Sequence, residues 1–199
     1  YCLVRYLANG TLDPGFGVAG MTCNNFGAYA VALQPDGRIV VAGSCQGATN
    51  SDFCVARYQA NGVLDQSFKS NGSVPPPVVT PIGPSSDNPT TVAVQPDGKI
   101  VVAGYCYNGT NNDFCLARYL ANGALDVSFN NTGKVITPIG SGHDWVWALA
   151  LQPDGKIVVA GYCAGSFDDF CMARYEGGPY NCTPDFDGDG AVLATTDAL

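Results

Sequence analysis

Three copies of Gln-Pro-Asp-Gly, at Gln34–Gly37, Gln95–Gly98 and Gln152–Gly155, divide this chain into near-identical units. A basic residue follows each copy, and then Ile-Val-Val-Ala-Gly at Ile39–Gly43, Ile100–Gly104 and Ile157–Gly161. A Cys-x-x-Arg-Tyr segment recurs from Cys2, Cys54, Cys115 and Cys171, with periods of 52, 61 and 56 residues. The first three of these lead into Asn-Gly-x-Leu-Asp, beginning at Asn9, Asn61 and Asn122. Periods of this length belong to arrays in which each unit buries its apolar faces against its neighbours.

Within a unit, Asp36-Gly37 is expected to form a two-residue hairpin turn with positive φ at both positions. The runs on either side, Ala30–Leu33 and Ile39–Ala42, are apolar on both alternating faces, as strands covered on two sides are. Small residues recur in them (Ala32, Ala93, Ala150; Ala42, Ala103, Ala160) and permit close approach of neighbouring sheets. Cys-x-x-Arg-Tyr supplies a third strand. A fourth is expected near Met21–Phe26, Val78–Ile82 and Val135–Ile139. Pro75-Pro76-Pro77 lengthens one connection. Sixteen of the seventeen acidic residues are Asp, Glu176 being the exception, a bias toward turns and away from helices. The expected fold is all-β: tandem four-stranded antiparallel blades of a β-propeller, about three blades plus one extra strand. The units run at about 2–53, 54–114 and 115–170, followed by a lone strand, a linker at 176–184 and an acidic segment at 185–199.

The blocks Ala-Leu-Gln-Pro-Asp-Gly-Lys-Ile-Val-Val-Ala-Gly and Phe-Cys-x-Ala-Arg-Tyr-x-Ala-Asn-Gly-x-Leu-Asp resemble the delta-60 repeat of large bacterial surface and secreted proteins. The resemblance covers about residues 1–175 and implies a β-propeller with no assigned chemistry. It brings no catalytic residue to this sequence.

Cys45 and Cys54 enclose eight residues, as do Cys106 and Cys115, and Cys163 and Cys171 enclose seven. Each pair spans the end of one strand and the start of the next, so a hairpin brings the sulfurs together. Three hairpin disulfides are expected, each worth roughly 2–3 kcal/mol on the loop-entropy estimate. They imply an oxidising compartment, hence a secreted, extracellular or cell-surface protein. Cys2 is the repeat equivalent of Cys54, so its partner is expected upstream of Tyr1, which favours a truncated chain or an intermolecular bond. Cys23 aligns with Ile136, and neither it nor Cys182 is a repeat feature.

In the acidic segment, Asp185, Asp187 and Asp189 stand at positions 1, 3 and 5 of a loop with Gly190 at position 6. With Ala191 and Asp197 they form a candidate calcium-ligand set. The segment resembles the short calcium loop of dockerin-type modules, over about thirteen residues. It departs from that pattern at position 12, which is Thr196, with Asp197 one place later.

A net charge of −8 argues against nucleic acid and anionic membrane surfaces as partners. No run of about 18 apolar residues is present, so no membrane-inserted helix is expected. One His and one Glu give no catalytic constellation, and no enzyme activity is expected. His143-Asp144-Trp145 is private to one unit and is expected to be a loop beside a strand in which Trp147 packs. Arg5, Arg57, Arg118 and Arg174 recur with Asp13, Asp65 and Asp126 and are expected to be structural. Tyr105, Tyr107, Phe114, Phe167 and Phe170 lie near inter-strand loops, where they suit glycan or protein contact. Asn-x-Ser/Thr sequons begin at Asn9, Asn71, Asn108, Asn130 and Asn181.

The expected role is a scaffold for protein or glycan interaction. The alternatives are a subunit of an extracellular homopolymer or filament and a propeller glycan hydrolase or lyase. Because inner units need a neighbour on each side, the terminal blade faces are expected to contact other protein, including other copies of the chain.

Overall fold

The computed structural model describes residues 1–47, 49–69, 76–165 and 168–177. Its strands are β1 (Cys2–Val4), β2 (Met21–Cys23), β3 (Gly27–Leu33), β4 (Ile39–Gln46), β5 (Ser51–Tyr58), β6 (Val78–Thr80), β7 (Asp87–Val94), β8 (Ile100–Tyr107), β9 (Asn112–Tyr119), β10 (Lys134–Thr137), β11 (Asp144–Leu151), β12 (Ile157–Ala164) and β13 (Asp168–Tyr175). They form an all-β array of antiparallel sheets ordered as the chain runs: a ribbon β1-β2, a first sheet β3-β4-β5-β6, a second β7-β8-β9-β10 and a third β11-β12-β13. A four-stranded sheet therefore takes its first two strands from one repeat unit and its last two from the next. The strand at Cys2 is half of the ribbon, paired with β2.

The Gln-Pro-Asp-Gly hairpins differ from the expected turn. Only the glycine has positive φ, 81° at Gly37, 83° at Gly98 and 87° at Gly155. Gly37 donates to Gln34 O at 2.9 Å and Gln34 donates to Arg38 O at 2.8 Å. The turn is type I with a left-handed glycine closing it, because the proline after Gln fixes the φ that a type I turn needs. Asp36 then accepts the Arg38 amide through Oδ1 at 3.0 Å.

Side chains that share a register row share a face. On the second sheet one row holds Tyr105 and Phe114 and the next of that face holds Ala103 and Leu116. This front face packs on the back face of the third sheet: Val101, Ala103, Phe114 and Leu116 cluster with Val146, Ile157, Val159, Ala173 and Tyr175. The joint before it repeats the pattern, Val40, Ala42, Phe53 and Val55 lying against Ile100, Val102, Ala117 and Tyr119. At the head, Ile39, Val41, Ala56 and Tyr58 meet Phe16, with Tyr1 and Leu3 alongside. Apolarity on both faces of the repeated strands follows from this stacking.

Four contacts lock each joint. The Arg118 guanidinium lies 4.6 Å from the Phe129 ring centre, as Arg57 lies 4.9 Å from Phe68 and Arg5 4.8 Å from Phe16. Its Nε pairs with Asp126 Oδ2 at 2.9 Å, and the equivalent pairs Arg57–Asp65 and Arg5–Asp13 are at 2.8 and 2.7 Å. Nη1 then donates across to the following repeat, from Arg118 to Gly177 O at 2.6 Å, from Arg57 to Ala121 O and from Arg5 to Ala60 O. A third-strand tyrosine seals the outer side: Tyr119 donates to Thr80 Oγ1 and Tyr175 to Thr137 Oγ1, each at 2.8 Å, while Tyr58 shares a hydrogen bond with the Tyr1 hydroxyl.

Disulfides join Cys45–Cys54, Cys106–Cys115 and Cys163–Cys171, with Cα separations of 5.5, 5.8 and 5.9 Å. The partner of Cys2 is not upstream of Tyr1; it is Cys23. β1 and β2 pair with these two residues directly opposed, their Cα atoms 4.0 Å apart. In the other repeats Val79 and Ile136 stand opposite the equivalent cysteines, so Cys23 is a private change at a repeated position.

Candidate binding surface

Each first strand carries a bulge, with one extra residue at Tyr29 in β3, Thr90 in β7 and Trp147 in β11. The strand alongside answers it with the glycine of Ile-Val-Val-Ala-Gly. A Cβ on Gly43, Gly104 or Gly161 would overlap the carbonyl of Gly27, Asn88 or Trp145, so only glycine admits the bulged backbone. The bulge turns Trp147 outward: it is 62% exposed, and the expectation that it packs is corrected.

Trp147 belongs to an aromatic group at the end of the sheets where the β8–β9 hairpin meets the loop entering β11. Tyr105 stands edge-on to Trp145 and Trp147, with centroids 6.4 and 6.5 Å apart. Trp145 lies 5.0 Å from Tyr162, and His143 stacks on Trp145 at 5.4 Å. Tyr105, Trp145 and Tyr162 are half-buried and His143 is exposed. His143 Nδ1 accepts from the Asn112 amide at 3.0 Å, and Asn111 Nδ2 donates to Gly142 O and, at 3.3 Å, to Ser141 O. These bonds hold the two loops together beneath the rings. The equivalents of Trp145 in the other sheets are Asn88 and Gly27, so the two tryptophans are private to the third sheet.

Asp144, the centre of His143-Asp144-Trp145, points inward. It accepts from the amides of Ile139 at 2.9 Å and Gly140 at 3.1 Å through Oδ2, as Asp87 accepts from Ile82 at 2.7 Å through its Oδ2. Each of these aspartates caps the crossover from one sheet to the next. The signal was in the sequence: both stand eight residues before Gln-Pro-Asp-Gly, where the first unit has Phe26. Burial pushes the Asp144 carboxyl above the ordinary aspartate range, against the pull of those amides. Asp113 moves the same way, again chiefly by burial, with the Asn108 amide opposing and the Asp144 charge adding. Asp113 Oδ1 and Asp144 Oδ1 have no hydrogen-bond partner among the described residues. Both residues are buried, at 1% and 0% exposure.

Of the other aromatic residues singled out by sequence, Phe114 is core, Tyr107 donates to Gly109 O at 2.9 Å, Phe170 is exposed and Phe167 lies outside the described residues. The candidate calcium ligands Asp185, Asp187, Asp189, Ala191 and Asp197 also lie outside them, as does Cys182. Among the described residues no cluster of three or more His, Cys, Asp or Glu is placed to hold a metal ion. At the opposite end of the sheets a cleft of about 500 Å³ opens beside Gln34, Arg38, Arg57, Ser67 and Asn122. These are recurring residues of the joint, so the cleft belongs to the scaffold.

Four disulfides fit an extracellular or otherwise oxidising environment. Among the described residues no helix is long and apolar enough to cross a membrane. No curated protein matches the chain. Among solved structures it is similar to "Crystal structure of a GH43_12 retrieved from capybara gut metagenome", at 11% identity and a TM-score of 0.46. The alignment covers 84% of this chain and 32% of that one, so the chain spans about a third of that protein's length. A family model described as "Domain of unknown function (DUF5122) beta-propeller" matches residues 1–16, 34–68, 95–129 and 152–177, more than half of the chain and every repeated joint motif. The chain belongs to the DUF5122 beta-propeller family.

Proposed function

We propose that this chain is the β-propeller scaffold of a secreted or cell-surface protein and that it binds glycan at the rim formed by Tyr105, Trp145 and Trp147. One observation carries the reading. Repeated residues build the joints, whereas the two tryptophans are private to the third sheet and meet Tyr105 of the second, held by a bulge and two bonded loops. An indole held half-open offers an apolar face to the C–H face of a sugar ring, with its N–H free to serve the rim. The net charge of −8 favours neutral or amino sugars over acidic ones.

The role is binding and not catalysis. The carboxylates of the two loops beneath the rings, Asp113 and Asp144, are buried and the latter is bonded to backbone amides, which supports this reading over a hydrolase or lyase. In the acidic segment, Asp185, Asp187, Asp189, Ala191 and Asp197 bind Ca²⁺, a reading supported by their EF-hand-like spacing.

A panel of immobilised neutral, amino-sugar and acidic oligosaccharides tests the glycan reading. Retention of the chain on neutral or amino-sugar members, lost in Trp147→Ala, is expected. Failure to bind any member, or equal binding by Trp147→Ala, contradicts it.

A further inference from the structure

The bulge residues Tyr29, Thr90 and Trp147 each stand five residues before Gln-Pro-Asp-Gly, so they lie along one line across the three sheets. β3 neighbours β7, and β7 neighbours β11. The Thr90 hydroxyl donates to Val146 O at 2.7 Å, which ties the second bulge to the third. Tyr29 and Trp147 are exposed to nearly the same degree, 60% and 62%. The exposure of Tyr29 belongs to the rim and not to the head of the array. Its hydroxyl lies 3.4 Å from Ser44 Oγ, and Ser44 shares a row with Phe53, which is fully buried under the second sheet. The head-facing residues of β3 are instead Val31 and Leu33, in rows with Val41 and Ile39. Gly27 makes room for the phenol, since a Cβ there would stand 3.3 Å from the Tyr29 hydroxyl. Ser44 is in turn the equivalent of Tyr105, the ring that meets both tryptophans.

We propose that Tyr29 is a second sugar-stacking position, so that the rim takes an extended neutral or amino-sugar chain lying from Tyr29 past Tyr105 to Trp147. The inference rests on the glycan reading of the tryptophan rim and adds the length and direction of the ligand. Each of three successive sheets supplies one aromatic ring at the same end. Stacked sheets lie about 10 Å apart, so two joints put roughly 20 Å between Tyr29 and Trp147. That span exceeds a disaccharide and suits a chain of several sugar rings, whose C–H faces meet the aromatic ones in turn. Thr90 is half-buried with its hydroxyl bonded within the protein, so the second sheet contributes through Tyr105. The bulge recurs because the glycine of the neighbouring strand recurs, whereas the residue it turns outward is free to differ. Two of the three are aromatic, and they bracket the line.

The test is affinity against chain length, by calorimetric titration of the intact chain with cello- and chito-oligosaccharides, each as the disaccharide and the hexasaccharide. The parent is expected to bind the hexasaccharide of at least one series more tightly than its disaccharide. Tyr29→Ala is expected to weaken hexasaccharide binding about tenfold, as loss of one aromatic stack does, and to leave disaccharide binding unchanged. Tyr29→Phe keeps the ring without the hydroxyl and is expected to match the parent. Trp147→Ala is expected to weaken both lengths. Far-UV circular dichroism checks that each variant keeps its sheets. Equal affinity for the two lengths, or hexasaccharide binding that Tyr29→Ala leaves intact while Trp147→Ala abolishes it, overturns the extended site and leaves the tryptophan rim standing. Absence of binding at either length in both series overturns the extended site and the glycan reading together.

Discussion

Phe114 and Phe170 hold the same place in successive sheets, yet one is completely buried and the other three-quarters exposed. The difference is the next sheet: Phe114 lies under Val146 and Ile157, and among the described residues nothing lies over Phe170. Phe114→Ala is therefore expected to cost about 3–5 kcal/mol, in the range of a buried aromatic truncation. Phe170→Ala in dilute protein is expected to stay within about 0.5 kcal/mol of the parent. Urea unfolding midpoints check both, and equal losses at the two positions would remove the stacked-sheet account.

The joint clamps should differ in strength with their burial. Arg118 and Asp126 are both almost fully buried, whereas the Arg5 side chain is 39% exposed at the head. Asp126→Ala leaves a buried guanidinium with one partner fewer and is expected to cost about 3–5 kcal/mol. Asp13→Ala, in the exposed pair, is expected to cost far less. Thermal or chemical unfolding of the two variants side by side checks the order. A larger loss from Asp13→Ala would mean that the clamps do not act through burial.

Much of this was legible in the sequence, and the reasons it stopped where it did are physical. Repetition exposed the joint residues because each one recurs wherever sheets meet, Arg118 with Asp126 as Arg57 with Asp65. The hairpin turn was misjudged because Asp-Gly also fits a longer loop, and Pro35 decides between the two. Cys23 escaped because pairing register across a ribbon is not a periodic signal, so nothing in the spacing placed it opposite Cys2. Trp147 escaped for a related reason: a bulge inserts one residue and reverses the alternation of in and out. Its trace in the sequence is the recurring glycine at Gly161, which the bulged strand crowds.

The buried carboxyls give the array an opposed pH response. Burial raises the Asp113 carboxyl, so the folded chain holds that proton more tightly than the unfolded chain, whose aspartates titrate near about 4. The stabilisation this provides is present at low pH and is lost as pH rises from about 4 through the raised folded value. Asp126 behaves inversely. Burial pushes it up, but Ser128 and the Arg118 guanidinium outweigh that and hold it below the usual range. Its contribution is present above about 4 and disappears as pH falls through the lowered value. In urea melts, Asp113→Asn should gain relative to the parent between pH 4 and 7, and a pH-independent difference would contradict the assignment.

Calcium binding by the acidic segment has a direct readout. Calorimetric titration of the chain with Ca²⁺ is expected to show saturable binding that Asp187→Ala weakens at least tenfold, as loss of one carboxylate ligand does. Identical isotherms for parent and variant would leave the segment as an acidic linker.

The central claim, a glycan platform on a repeat scaffold, is tested most directly by tryptophan emission. The chain has two tryptophans, Trp145 and Trp147, and both sit in the rim, so the signal reports on that site alone. Titration with a neutral or amino-sugar oligosaccharide is expected to shift the emission to shorter wavelength and saturate, because a sugar ring displaces water from the exposed indole of Trp147. In Trp147→Ala the remaining emission from Trp145 is expected to stay constant over the same range. An emission spectrum of the parent that is unmoved across the neutral, amino-sugar and acidic series would contradict the account.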